Sequence, residues 1–278
     1  FCESGFQTEF YMLCIYHCNE GRMEQEMGNG AYTYLEAGDL KIDRRIHHKG
    51  HIEFPTQHFH GVTIAFDMKE ATKNLPLEMR DFPVDLYALQ KKYCDSKHPF
   101  VIPGEPAIEH IFSELYSIPL NIKKYYLKVK IFELLLYLDA LELAGTKEER
   151  PYFYKTQVEK IKAIRSLMTE NLTEHYTLDD LAKRFDIPHT TMKSCFKSIY
   201  GNSIFAYMRE YRMNYAANLL REQNDLSIAQ IAGMVGYDSP GKFSSAFKAV
   251  MGSTPLSYRK FPVHAVNLWP GGEDETSK

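Results

Sequence analysis

Two stretches of this chain repeat one pattern, and that repeat constrains the fold more than any other feature. Residues 178–201 run Leu178-Asp-Asp-Leu181-Ala182-Lys-Arg-Phe185, a turn, then Met192-Lys-Ser-Cys-Phe196-Lys197 to Gly201. Residues 228–252 run Ile228-Ala-Gln-Ile231-Ala232-Gly-Met-Val235-Gly236, a turn, then Phe243-Ser-Ser-Ala-Phe247-Lys248 to Gly252. Ala182 and Ala232 lie 50 positions apart, Phe196 and Phe247 lie 51 apart, and so the second copy has one extra turn residue. Each copy reads as two short amphipathic helices joined by a tight turn, the helix-turn-helix plan. The small alanine lets the two helices cross closely. Gly236 takes a left-handed turn conformation at no steric cost; Asp186, at the matching place, tolerates it less well.

A helix-turn-helix offers the exposed face of its second helix to a DNA major groove, and two copies can read successive grooves about 34 Å apart. Between the copies, Ser203 to Leu220 places Ile204, Tyr207, Met208, Tyr211, Tyr215 and Leu219 at helical spacing. Eighteen helical residues span about 27 Å, the scale of a rigid spacer between two such heads.

The stretch from Val158 to Lys260 resembles the DNA-binding domain of the AraC/XylS family of transcription regulators. The most specific residues are Ser227-Ile-Ala-Gln-Ile-Ala-Gly-Met-Val-Gly-Tyr-Asp-Ser, Phe243-Ser-x2-Phe247-Lys248 and Gly252-Ser-Thr-Pro255-x2-Tyr258-Arg259. The resemblance implies base contacts at Thr190, Lys193 and Ser194 in the first copy and at Gly241, Lys242 and Ser245 in the second. It places Lys197 and Lys248 near phosphates, and Ser239, Arg209 and Arg212 are further backbone candidates. For the two arginines a structural anchor is the alternative, and for each polar stripe a solvated face. The sequence departs from the family at Ser194 and Ser245, where many relatives carry Arg or Gln, because serine makes no bidentate guanine contact. Pro188 replaces the usual helix-starting Ser or Asp. These departures point to specificity through DNA shape and backbone contacts. As expectations, the resemblance adds an activator role, RNA polymerase as a partner, a small-molecule effector and a homodimer.

The first half of the chain reads as short strands. Phe10 to Cys18 alternates with period two; Tyr32–Leu35, a turn at Gly38-Asp39 and Leu40–Ile42 form a strand-turn-strand; Val62–Phe66 and Phe100–Ile102 are further strands. The segment Tyr34 to Leu40 is similar to a turn in the cupin-like barrels of AraC-type regulators. Small barrels hold their own side chains or one small ligand. The expected architecture is therefore α+β: a cupin-like small β-barrel with following helices over 1–145 for effector sensing and dimerisation, a linker over 146–156, an all-α domain with two helix-turn-helix motifs joined by a long helix over 157–261, and a loose tail over 262–278.

Candidate effector residues are His58, His60 and Arg44. His58-Phe59-His60 on a strand puts both imidazoles on one face, with His47, His48 and His51 nearby. A metal-binding cupin needs a third His and a Glu at suitable spacing, and that pattern is not evident, so no metal or other cofactor is expected. Ile108, Ile111, Phe112 and Leu115 share one helix face. In the helix over Leu120–Leu143, Ile122, Val129, Leu136 and Leu143 recur every seven residues, with Tyr125 and Phe132 three after the first two. The candidate dimer seam is Ile122, Val129, Phe132 and Leu136. Leu127, Ile131, Leu134 and Leu138 line another face. Either one face covers the barrel while the other meets a partner, or both pack within the domain.

Net charge is −3, but residues 155–261 hold 15 basic and 10 acidic residues, a surplus of +5 that leaves −8 for the rest. A locally basic domain beside an acidic one suits a double-stranded DNA partner for the first only. The five cysteines are an odd number without zinc-type spacing and read as reduced thiols of a cytoplasmic protein. No apolar run is long enough to cross a membrane, and no secretory signal is visible from Phe1. There is no phosphate-binding glycine loop, no nucleophile elbow and no expected catalytic residue. Three rival functions are a metal-dependent cupin enzyme with an appended DNA-binding domain, an alkyl-transfer repair protein, which would need clustered cysteines, and a binding module that has lost DNA readout.

Overall fold

In the computed structural model, which describes residues 12–27, 30–45, 52–56, 58–73, 81–95, 99–116, 118–143 and 151–260, one long strand organises the first half of the chain. This strand, β1 (Met12–Met27), takes its neighbours in two groups. Met12–His17 pairs with β3 (Leu40–Arg45), and Arg22–Met27 pairs with β2 (Ala31–Glu36). Strand β5 (Phe59–Asp67) follows β1 from Met12 to Gly21; β4 (Ile52–Glu53) joins at Glu24 and Gln25; β6 (Phe100–Ile102) extends β3. Each of these pairings is antiparallel. The register shifts between Cys18 and Glu20, and Gly21 follows with φ 81°. A bulge bends its strand and increases its twist. Only glycine fits at Gly21, where a Cβ would lie 1.9 Å from the His58 carbonyl oxygen. The result is a curled antiparallel half-barrel.

Alternation along β1 sorts its side chains. Leu13 and Ile15 enter a core with Leu40, Ile42, Ile102, Ile111, Phe112 and Leu134, whereas Cys18 packs with Met23 and Leu35. Buried Lys41 is held by polar partners: its Nζ lies 2.5 Å from Gln25 Oε1, 3.2 Å from Asp43 Oδ2 and 4.0 Å over the Tyr16 ring.

Helices α1 (Met68–Lys73), α2 (Leu86–Tyr93), α3 (Pro106–Ser113) and α4 (Lys123–Ala140) complete this half. Asp85 caps α2 by accepting from the Tyr87 amide at 2.8 Å. Lys92 Nζ and the Tyr93 hydroxyl donate to the Leu138 carbonyl at 2.9 and 2.6 Å, satisfying carbonyls at the end of α4. Leu134 and Leu138 of α4 are buried, and Leu127 and Ile131 pack beside them.

The chain divides into two compact units between Tyr152 and Phe153. The second opens with β7 (Phe153–Tyr154) and continues through α5 (Lys155–Glu170), α6 (Leu178–Phe185), α7 (His189–Tyr200), α8 (Ile204–Glu222), α9 (Ile228–Met234), α10 (Pro240–Met251) and α11 (Pro255–Lys260). Helix α8 packs against α5 and α7 and against α9, α10 and α11. Its later residues Met213, Ala216, Ala217, Leu219 and Leu220 share a core with Ile231, Ala232, Val235, Phe243, Phe247 and Tyr258. The expected tail over 262–278, part of the expected linker, and Cys2, His47, His48 and His51 lie outside the described residues. No helix among the described residues is long and apolar enough to cross a membrane.

Candidate nucleic-acid interface

Both helix pairs start with the same capping device. Thr177 Oγ1 accepts from the Asp180 amide at 3.1 Å, and Asp180 Oδ2 accepts from the Thr177 amide at 2.9 Å. Ser227 and Gln230 reciprocate in the same way at 3.2 and 2.9 Å. Each exchange satisfies two amides that a helix start leaves without partners. The Thr177 hydroxyl, which donates to Asp180 Oδ2 at 2.6 Å, and the Thr177 amide hold the Asp180 carboxyl below its ordinary pKa. Between the helices the chain turns through Asp186 at φ 46° and through Gly236 at φ 78°.

The second helix of each pair has one wet and one dry face. In α7, Met192, Cys195, Phe196 and Ile199 are fully buried, while Thr190, Lys193, Ser194 and Lys197 are exposed. In α10, Phe243 and Phe247 are buried, while Gly241, Lys242, Ser245 and Lys248 are exposed. All eight polar-face positions expected from the sequence therefore lie on an accessible surface. Two serines are already engaged: Ser239 Oγ caps α10 by accepting from the Lys242 amide at 3.4 Å, and Ser245 Oγ donates to the Gly241 carbonyl at 3.1 Å. Pro188 begins α7 without any side-chain cap.

The two spacer-helix arginines separate. Arg209 is exposed. Arg212 is half-buried, and its Nη2 donates to the Glu174 carbonyl at 3.1 Å ahead of α6. Burial lowers its pKa. In the second pair Arg259, from α11, donates to the Leu226 carbonyl at 2.7 Å ahead of α9. Each pair thus has an arginine that holds the segment entering its first helix. The anchoring of Arg259 was missed by the sequence reading, because a guanidinium bonded to a main-chain carbonyl leaves no spacing signal.

In the first unit, His58 and His60 are both exposed and Arg44 is exposed at the end of β3. His58 Nε2 lies 2.9 Å from Glu20 Oε2, and His60 Nδ1 lies 3.3 Å from Asn19 Nδ2. None of the three lines the cavity of about 510 Å³ that opens between His17, Asn19, Gly38, Glu105, Glu109 and Ser113. His17 is buried with its ring stacked 4.0 Å from that of Phe112, and burial lowers its pKa to about 4. Its place beside core-facing Leu13 and Ile15 in the alternation of β1 was the available signal. Among the described residues no group of three or more His, Cys, Asp or Glu is placed to hold a metal ion. Of the α4 seam residues, Ile122, Val129 and Leu136 are exposed, whereas Phe132 is half-buried with its ring 5.1 Å from Phe82.

Capped helix, turn and amphipathic second helix with a buried aromatic row define a protein of the helix-turn-helix class. The helix-turn-helix domain family model matches residues 181–260. The transcriptional activator RhaR of Mannheimia succiniciproducens is 26% identical over 146 residues, 52% of this chain and 51% of that protein. The transcriptional regulator ExsA of Pseudomonas aeruginosa is 31% identical over 100 residues, 36% of each chain. A solved transcriptional regulator with an AraC-type DNA-binding domain, from Chromobacterium violaceum, is 30% identical and covers 38% of this chain and 96% of its own, with a TM-score of 0.34. Residues 181–260 are thus a helix-turn-helix domain of the kind carried by AraC-like transcription regulators. The chain spans about half or less of the length of these two curated relatives.

Proposed function

We propose that this protein is a sequence-specific DNA-binding transcription regulator, an activator by its likeness to RhaR, that reads two successive major grooves through α7 and α10. The observation that carries the reading is the paired wet face: Lys193 and Lys197 on one helix, Lys242 and Lys248 on the other, opposite fully buried Met192, Phe196 and Ile199 in the first and Phe243 and Phe247 in the second. Lysines on such a face reach base edges or phosphates. Helix α8, 19 residues long, packs on both pairs and spaces them by roughly 28 Å of helix. The test is to sequence the DNA fragments that the full chain captures from a random pool. A recurrent sequence supports the reading; capture without sequence preference, or none at low salt, sinks it.

The first unit is the effector-sensing part, and the cavity beside His17 is the place for a small ligand. A ligand that binds one arrangement of the protein better shifts the population toward it, changing DNA or RNA polymerase contacts. Ile122 at the start of α4, with Val129, Phe132 and Leu136 on it, is the homodimer seam, and all but half-buried Phe132 are exposed. Val129→Glu combined with Leu136→Glu gives a monomer by sedimentation; a folded double variant that stays dimeric refutes the seam.

A further inference from the structure

We propose that His189 is a DNA-contacting residue of the first helix pair that takes up a proton when the protein binds DNA, with Asp179 orienting its ring. The inference rests on the reading of α7 as a groove-facing helix. His189 is the first residue of α7, directly before Thr190, and it is partly exposed. Its Nε2 lies 3.0 Å from Asp179 Oδ1 on α6. An ionised carboxylate only accepts, so Nε2 carries the hydrogen and donates it. Nδ1 is then the ring's second bonding atom, an acceptor when the imidazole is neutral and a donor when it is protonated.

The residues at the start of a recognition helix meet base edges and the flanking backbone. The groups met most often there are acceptors: phosphate oxygens, and O6 and N7 of guanine. An acceptor selects the donor form of Nδ1, and phosphate charge favours the imidazolium. Because the coupling is reciprocal, a protein that gains a proton on binding DNA also binds DNA more tightly as pH falls.

The surrounding charges do not supply this response by themselves. On α6, Asp179 reaches the start of α7 at His189, and Asp180 is engaged with Thr177. Asp186 at the turn is paired with Lys160 of α5 at 3.7 Å. Arg165 of α5 donates to the Tyr207 hydroxyl at 2.7 Å, and Glu210 of α8 accepts from Asn202 at 3.1 Å at the far end of α7. Lys193 follows one turn along α7 and is common to every variant compared. The second pair is an internal control, since its counterparts of His189 and Asp179 are Pro240 and Ala229, neither of which titrates.

The test is fluorescence anisotropy on the captured duplex at about pH 6 and pH 8, at constant ionic strength, with the full chain. Wild type is compared with His189→Gln and with His175→Gln, which removes the other described histidine of the second unit. Melting temperatures confirm that all three fold. One fully coupled proton changes affinity by at most about tenfold per pH unit, and the expected wild-type gain toward pH 6 is roughly three- to tenfold greater than that of His189→Gln. His175→Gln keeps the wild-type profile. A His189→Gln variant with the wild-type profile overturns the proposal while leaving DNA binding intact. Absence of binding by every variant at both pH values overturns the DNA-binding reading and this inference together.

Discussion

In the first helix pair the turn residue is Asp186, left-handed at φ 46°, with Lys160 Nζ donating to its carbonyl at 2.5 Å. In the second it is Gly236, whose missing side chain lets the turn press against the Leu172 carbonyl, where a Cβ would sit 2.3 Å away. One turn is strained and held by a side chain; the other is unstrained and held by close backbone contact. The helices that follow differ in the same way. Ser239 caps α10, while α7 starts at Pro188 with no side-chain cap and carries a histidine tethered to the preceding helix. Aligning Phe196 with Phe247 places Lys193 opposite Ser244 and Lys242 opposite Thr191. One scaffold therefore presents the exposed amines of Lys193 and Lys242 at different heights, and the two pairs are not interchangeable surfaces.

The largest test of this contrast is at the turns. Gly236→Ala adds a side chain to a positive-φ residue against fixed backbone, and we expect a loss of about 3 kcal/mol or more by chemical denaturation. Asp186→Gly relieves strain while the Lys160 bond to the carbonyl persists, and its effect stays within about 1 kcal/mol. Equal effects would mean that the turns are held alike. Next come the base-reaching amines: Lys193→Ala and Lys242→Ala each cost roughly 1–3 kcal/mol of DNA affinity and relax preference at different base pairs of the site. Relaxation at the same relative base in both half-sites would show that the offset has no consequence. Lys197→Ala and Lys248→Ala weaken binding on all duplexes alike and lower the salt slope by about one each, as a salt titration reads directly. The smallest effect is at the caps. Ser239→Ala removes about 1 kcal/mol of stability, whereas Pro188→Ala, with no cap to lose, changes it by less than half of that.

The helix pairs were legible because each buries a 3.6-residue period, and the second also turns at a glycine suited to positive φ. Strands β2 and β3 were legible from the turn at Gly38-Asp39 between them, and β5 and β6 as short runs rich in β-branched and aromatic residues. Strand β1 was read only as far as Cys18, because the irregularity between Cys18 and Glu20 breaks the period and because its later buried residues include polar Glu24 and Gln25. Helix α2 was missed; its eight residues are too few to show a clear period, and Lys92 acts on α4 rather than on its own helix. The polar stripes of α7 and α10 were assigned residue by residue, yet the engagement of Ser239 and Ser245 was not, since a hydroxyl that bonds its own helix looks the same in sequence as one that faces solvent. For the effector, the expectation rested on His58, His60 and Arg44. The cavity is instead assembled from β1, the turn at Gly38 and the start of α3, segments far apart in sequence with no shared spacing.

The loop between α5 and α6 is held from both sides: Gly236 of the second pair lies against Leu172, and Arg212 of α8 grips the Glu174 carbonyl. Neither pair can melt without releasing a contact that the other needs. The helical unit should therefore lose its slowest-exchanging amides in a single cooperative event, with no intermediate in which one helix pair survives alone. A variant weakened anywhere in one half will report its damage in the hydrogen-exchange rates of both.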